Sequence, residues 1–220
     1  MRMIFFDTET TGLDFKKDRI IELACLVIED GKVIHELDRF IKQDIKLSDK
    51  IKDLTGITDE LLDAQGLHES FVAVELYNLL KQDTLMIAHN CQFDLNFIFE
   101  LLCRHYGEEK ILDLFSSMSW LDTLTVFKDR KGYPHRLENM VDYYKVGGDI
   151  QFHRAIDDTR ALSKCVQALN RERNDVMNYV NVFGFNSKYG VSGKEFSFIR
   201  YVPQGFNRGI VGKDFILPLL

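Results

Sequence analysis

The chain has 220 residues, 45% of them hydrophobic, and its 28 Lys and Arg against 34 Asp and Glu leave a net charge of −6. This suits one sizeable core with room for an appendage. The acidic balance excludes a globally basic nucleic-acid coat protein, but not a chain whose acidic site is neutralised by metal ions.

The first forty residues read as strands. Met3 to Asp7 is a short apolar run ending in an acid, too short to be the core of a signal peptide. Arg19 to Glu29 is apolar and β-branched, and Lys32 to Ile41 alternates. Glu29-Asp30-Gly31-Lys32 between them predicts a tight hairpin. Ser48 and Thr58 are N-cap residues for two short helices. His68 to Lys81 has a helical apolar period at Phe71, Val74, Leu76, Leu79 and Leu80. Thr84 to Ala88 predicts a buried strand, and Phe93 to Tyr106 a helix that Gly107 stops. Ser119 to Leu124 reads as a strand passing into a helix. Arg136 to Lys145 and Arg154 to Leu169 are helices. Strands first, then strands alternating with helices, predict an α/β or α+β domain with a mixed sheet.

No run of about 18 apolar residues predicts a membrane span. Cys25, Cys91, Cys103 and Cys165 are dispersed, with no CxxC. They predict buried reduced thiols and a cytoplasmic setting. Composition changes near residue 170: the stretch beyond carries a charge of +3 and nine aromatic residues, and the part before it −9. Residues 1–170 are therefore expected to form the main domain and 171–220 a C-terminal extension. In that extension Asn178 to Phe185 reads as helical, and Phe196 to Val202 as part of a β-hairpin.

Three groups of residues carry chemistry. In Asp7-Thr8-Glu9, alternation sends both acids to one side of an extended segment. Two such acids repel unless something positive lies between them, and a divalent cation with oxygen ligands fits. A polar exit from a strand reads equally from these residues alone. In Ile87-Ala88-His89-Asn90-Cys91-Gln92-Phe93-Asp94 a buried strand ends in His-Asn, and an acid falls in the first helical turn. Asp94 there could simply complement the helix dipole. In His153-Arg154-Ala155-Ile156-Asp157-Asp158, His153 at a helix start can lean over the surface that bears Asp158. A fourth stretch, Lys128 to Arg136, interleaves basic residues with Tyr133 and His135. It reads as a solvated loop or as a groove for single-stranded nucleic acid.

In this order the three acidic groups resemble the motifs of the DEDD exonuclease superfamily, in its histidine-bearing branch. The similarity is to the proofreading epsilon-subunit type of bacterial replicative polymerases. Ile20-Ile21-Glu22-Leu23, Leu54-Thr55-Gly56-Ile57-Thr58 and Leu121-Asp122-Thr123-Leu124 are further points of resemblance, which extends over about residues 1–170. It implies a ribonuclease-H-like mixed five-stranded sheet flanked by helices. It also implies that Asp7, Glu9, Asp94 and Asp158 hold two divalent ions, Mg2+ or Mn2+, and that His153 is the general base. Residues implied near the substrate are Thr10, Thr11, Gly12, Leu13, Thr55, Gly56, His89, Asn90 and Phe93. The implied activity is 3′–5′ exonucleolysis of single-stranded ends, DNA before RNA, releasing nucleoside 5′-monophosphates. A DNA polymerase is a possible partner, although no Gln- or Pro-rich linker follows residue 170. The competing expectations are RNA 3′-end trimming by the same chemistry and a non-catalytic nucleic-acid or polymerase-binding module.

Overall fold

The computed structural model describes residues 1–147 and 154–205. Five strands form one mixed sheet: β1 (Arg2–Thr10), β2 (Ile20–Glu29), β3 (Lys32–Phe40), β4 (Leu85–Ala88) and β5 (Ser119–Asp122), in the order β3-β2-β1-β4-β5. β1, β2 and β3 run antiparallel, and β4 and β5 lie parallel to β1. The β2–β3 hairpin turns on Asp30 (φ 49°) and Gly31 (φ 78°). A two-residue loop with both φ positive matches the right-handed twist of the strands, so the Asp-Gly pair specifies it.

The helices are α1 (Asp49–Thr55), α2 (Asp59–Gln65), α3 (Glu69–Leu79), α4 (Cys91–Tyr106), α5 (Glu108–Ser116), α6 (Thr123–Arg130), α7 (Leu137–Tyr144) and α8 (Ala155–Glu172). The sheet separates two cores. Ile4 and Phe6 of β1 pack with α3, α4 and α5 on one side, while Phe5 packs with α6, α7 and α8 on the other. No described helix is long and apolar enough to cross a membrane. All four cysteines are free; Cys25, Cys91 and Cys165 are buried and Cys103 is half-buried.

Three local expectations need correction. Helix α3 buries Val72, Ala73 and Leu76, while Phe71 is 65% and Val74 48% exposed. The inward row is 72-76-80, and the residues at 71 and 74 flank it. Gly107 stops α4 as expected, and α5 follows it directly, with Ile111 and Phe115 buried one turn apart. Residues 178–185 are not a helix. A 3-10 turn at Val176–Tyr179 ends before Asn181 (φ 58°), and β6 (Val182–Phe185) follows. Finally, β6 pairs parallel with β7 (Arg200–Pro203), so there is no hairpin. Phe196 and Ile199 turn into the core instead of extending, and residues 186–199 serve as the crossover that a parallel pair requires.

The described part of the extension is integrated with the sheet. Asn181 closes the β5 edge, donating its N–H to the Trp120 carbonyl and accepting from the Trp120 N–H on Oδ1. Phe183, Phe196 and Ile199 belong to the core shared with α4 and α5.

Candidate active site

The carboxylates converge through the alternation of β1. Odd-numbered residues of β1 face α8 and even-numbered residues face α4. Asp7 and Glu9 therefore project together beside Asp158 in the first turn of α8, and these three offer oxygen atoms within 4.8 Å of one another. Thr8, pointing the other way, meets Asp94 in the first turn of α4. Its N–H and its Oγ1 both donate to Asp94 Oδ1, at 3.0 and 2.6 Å. All four acids line one cleft of about 640 Å³.

This crowding has an electrostatic cost. Burial, then the charges of Asp94 and Asp158, hold the Asp7 carboxyl well above its ordinary range. Burial and the neighbours Asp158 and Glu22 push Glu9 up to about 8. Burial pushes Asp94 up to about 7 against the pull of the two Thr8 hydrogen bonds. Asp7 and Glu9 have no ion pair among the described residues. An all-oxygen donor set whose carboxyls are pushed up by burial and by one another is what a hard divalent ion would relieve, so the residues fit Mg2+ or Mn2+.

Glu22 supports this arrangement, although its role was not apparent from its place among strand residues. It lies opposite Glu9 in the β1–β2 register and is fully buried. Its Oε1 accepts from Arg154 Nε and Nη2 at 3.0 and 2.9 Å, and its Oε2 from the Ala155 N–H at 3.2 Å. The pair ties the start of α8, and so Asp158, to β2.

The second motif is braced by Asp122. Its Oδ1 accepts from the N–H groups of Asn90, Cys91 and Leu124, and its Oδ2 from Thr125. Asn90 is in the left-handed region (φ 68°), which turns the chain sharply from β4 into α4. His89 Nε2 lies 2.8 Å from the His135 carbonyl and Nδ1 3.0 Å from Thr123 Oγ1. A carbonyl only accepts, so Nε2 carries the proton, and burial lowers the pKa of the ring.

The other expected residues divide. His89, Asn90 and Phe93 line the cleft with the acids, and Phe93 also packs on Phe97 at 4.8 Å. Thr10, Thr11, Gly12 and Leu13 form the loop at the end of β1. There Leu13 is 84% exposed and therefore not a core residue. Thr10 Oγ1 donates to the Gly12 carbonyl, and Thr11 Oγ1 donates to Asp18 Oδ1. A Cβ at Gly12 would fall 2.4 Å from the Asp18 carboxylate, so that side chain would have to move to admit one. Thr55 is buried, donates to the Ile51 carbonyl and lies at the end of α1, outside the cleft lining, with Gly56 (φ 70°) capping the helix. His153 lies outside the described residues.

Comparison with known proteins gives the family and the fold. The exonuclease family model, RNase_T, matches residues 4–166. The chain belongs to this exonuclease family. Among curated relatives, the PolC-type DNA polymerase III of Lacticaseibacillus paracasei is 30% identical over 194 residues, covering 85% of this chain and 12% of that protein. The corresponding polymerase of Staphylococcus saprophyticus is 36% identical over 161 residues, covering 72% of this chain and 10% of its own. The chain thus spans about a tenth of the length of these relatives. Exonuclease I of E. coli in complex with a dA16 oligonucleotide superposes with a TM-score of 0.67 at 21% identity, over 81% of this chain and 42% of that one. The fold is that of the ribonuclease-H-like exonucleases, as the sequence resemblance implied.

Proposed function

We propose that the chain is a divalent-metal-dependent 3′–5′ exonuclease that releases nucleoside 5′-monophosphates from single-stranded DNA ends. The observation that carries this reading is the convergence of Asp7, Glu9 and Asp158 within 4.8 Å in a cleft that also holds Asp94. In this reading Asp7, Glu9 and Asp158 hold one ion, and Asp94, with Asp7, a second. Bound Mg2+ or Mn2+ would supply charge stabilisation for attacking water and leaving 3′ oxygen. The chain's own part is orientation. Thr8 fixes one oxygen of Asp94, and the Glu22–Arg154 pair fixes the start of the helix that bears Asp158. His153, one residue before Arg154, takes the proton from the water, because an imidazole titrates near working pH. Residues 1–170 are the catalytic domain, and 171–220 are an extension. A polymerase partner is consistent with the PolC-type relatives.

The test uses 5′-labelled single-stranded DNA and RNA oligomers with Mg2+ or Mn2+, with EDTA, and with the Asp158→Ala protein. A ladder shortening from the 3′ end, abolished by EDTA and by the substitution, is expected, with DNA degraded faster. Faster RNA shortening would reassign the substrate to 3′-end trimming. Binding of either oligomer without any shortening would overturn the enzymatic reading.

A further inference from the structure

The cleft that holds the carboxylates is also lined by Lys128, Tyr133, His135 and Arg136. These come from the end of α6, the following loop and the start of α7. Tyr133 is 67% exposed, a large aromatic surface left in water along the lining of the cleft. Its ring does not hang free. It stands edge-on at 5.9 Å to the ring of His135, which is 95% buried and itself edge-on to Phe127.

The loop is tied down from several sides. His135 Nε2 donates to the Lys131 carbonyl at 2.9 Å, and the His135 carbonyl accepts from His89 in the second motif. Lys131 Nζ pairs with Glu172 and donates to Tyr143 Oη. Next to it, Arg130 donates to the Leu169 and Arg173 carbonyls and pairs with Asp175. An aromatic face presented from so fixed a backbone loses little entropy on capturing a flat partner. Lys128 and Arg136 add positive charge in the same lining, which the acidic floor lacks.

We propose that Tyr133 is a stacking platform for one base of the substrate strand, with Lys128 and Arg136 beside it to take backbone phosphates. The inference rests on the exonuclease reading and adds what selects the substrate. A base in a duplex is already paired and stacked, whereas a base in a single strand gains a partner on Tyr133. His89 is then a positioning residue: both of its ring nitrogens are committed to the protein, and it holds the platform in register with Asp94.

The test is a binding cycle read without turnover. Fluorescence anisotropy in Ca2+ follows DNA oligomers with phosphorothioate 3′ linkages, intact or lacking one base at each of the last three positions. Wild-type affinity is expected to fall about tenfold when one particular base is missing, in line with a single base–aromatic stack. Tyr133→Ala should weaken binding of the intact oligomer by the same factor, and removal of that base should then cost nothing more. Tyr133→Phe, which keeps the ring, should bind like wild type. Losses that multiply at every position, or unchanged binding by Tyr133→Ala, would overturn the platform. Failure of the exonuclease reading would look different: the cycle would close, yet an unmodified oligomer would stay intact in Mn2+.

Discussion

The two faces of β1 hold their carboxylates by different means. Toward α4, an uncharged residue does the work, with Thr8 giving two hydrogen bonds to one oxygen of Asp94. Toward α8, a full cation is used, but on Glu22 rather than on an acid of the cleft. Arg154 thereby anchors the α8 start while Asp7 and Glu9 are left without an ion pair among the described residues. The contrast shows how a site can be made rigid without being neutralised. Hydrogen bonds and a buried ion pair set the geometry, and the repulsion that remains is reserved for a bound cation.

Asp7→Asn is expected to have the largest effect, because it removes the acid on which Asp94, Asp158, Glu9 and Glu22 all act. Hydrolysis in Mn2+ should fall by on the order of 10³, as when one electrostatic stabiliser is deleted from an active site. The same protein in EDTA should unfold at a higher temperature than wild type, since like-charge crowding is relieved. A loss of activity with a lowered Tm would instead mean that Asp7 is structural. Arg154→Ala comes next. It leaves a fully buried Glu22 with only the Ala155 N–H as a partner. Denaturant unfolding should show a loss of about 2 kcal/mol, below the usual figure for a broken buried pair because Arg154 is 29% exposed. Activity should fall about 10- to 100-fold through the loosened α8 start. Intact activity in a folded Arg154→Ala protein would break the claim that the α8 face depends on this cation.

The legibility of these two faces differed for physical reasons. Strand alternation is local, so Asp7 and Glu9 could be placed on one side from their spacing alone, and β1 sends them there. Helix spacing likewise put Asp94 and Asp158 into first turns. The supports were not legible, because each is a contact between distant segments: Thr8 with Asp94, Glu22 with Arg154, His89 with the His135 carbonyl. Glu22 entered only as a point of family resemblance, and its role comes from its contacts with Arg154 and Ala155. The extension was misread for a related reason. Its aromatic residues fit an extended strand as well as they fit an inward turn, and Phe196 and Ile199 are decided by the core they enter.

Thr8→Val tests the α4 face with little change of shape. The Oγ1 donor is lost and the backbone N–H remains. A hydrogen bond to a charged acceptor is worth about 1.5–3 kcal/mol, but only where the acceptor is charged. Asp94, pushed up to about 7, is only partly ionised at neutral pH without a cation. The substitution should therefore cost less than about 1 kcal/mol in EDTA at pH 7 and about tenfold in activity in Mn2+, where the carboxylate form is needed. Equal stability losses with and without metal would sever Thr8 from the charge on Asp94.

Temperature scans against pH give the smallest effect and join the two faces. Glu9 at about 8 and Asp94 at about 7 titrate above their values in an unfolded chain. The folded protein therefore holds extra protons across that interval. Its stability is complete below the ordinary carboxylate range and drains away as pH rises through 7 and 8. In EDTA the Tm should fall by a few degrees over that interval. A cation takes the place of those protons, so the gain in Tm on adding Mn2+ should be small near pH 5 and greatest near pH 8. Thr8→Val removes a bond that holds the Asp94 carboxylate charged, so the EDTA curve of that protein should fall over a higher pH range than that of wild type. A metal-induced gain that stays constant from pH 5 to pH 8 would mean that the ion is held by groups other than these crowded acids.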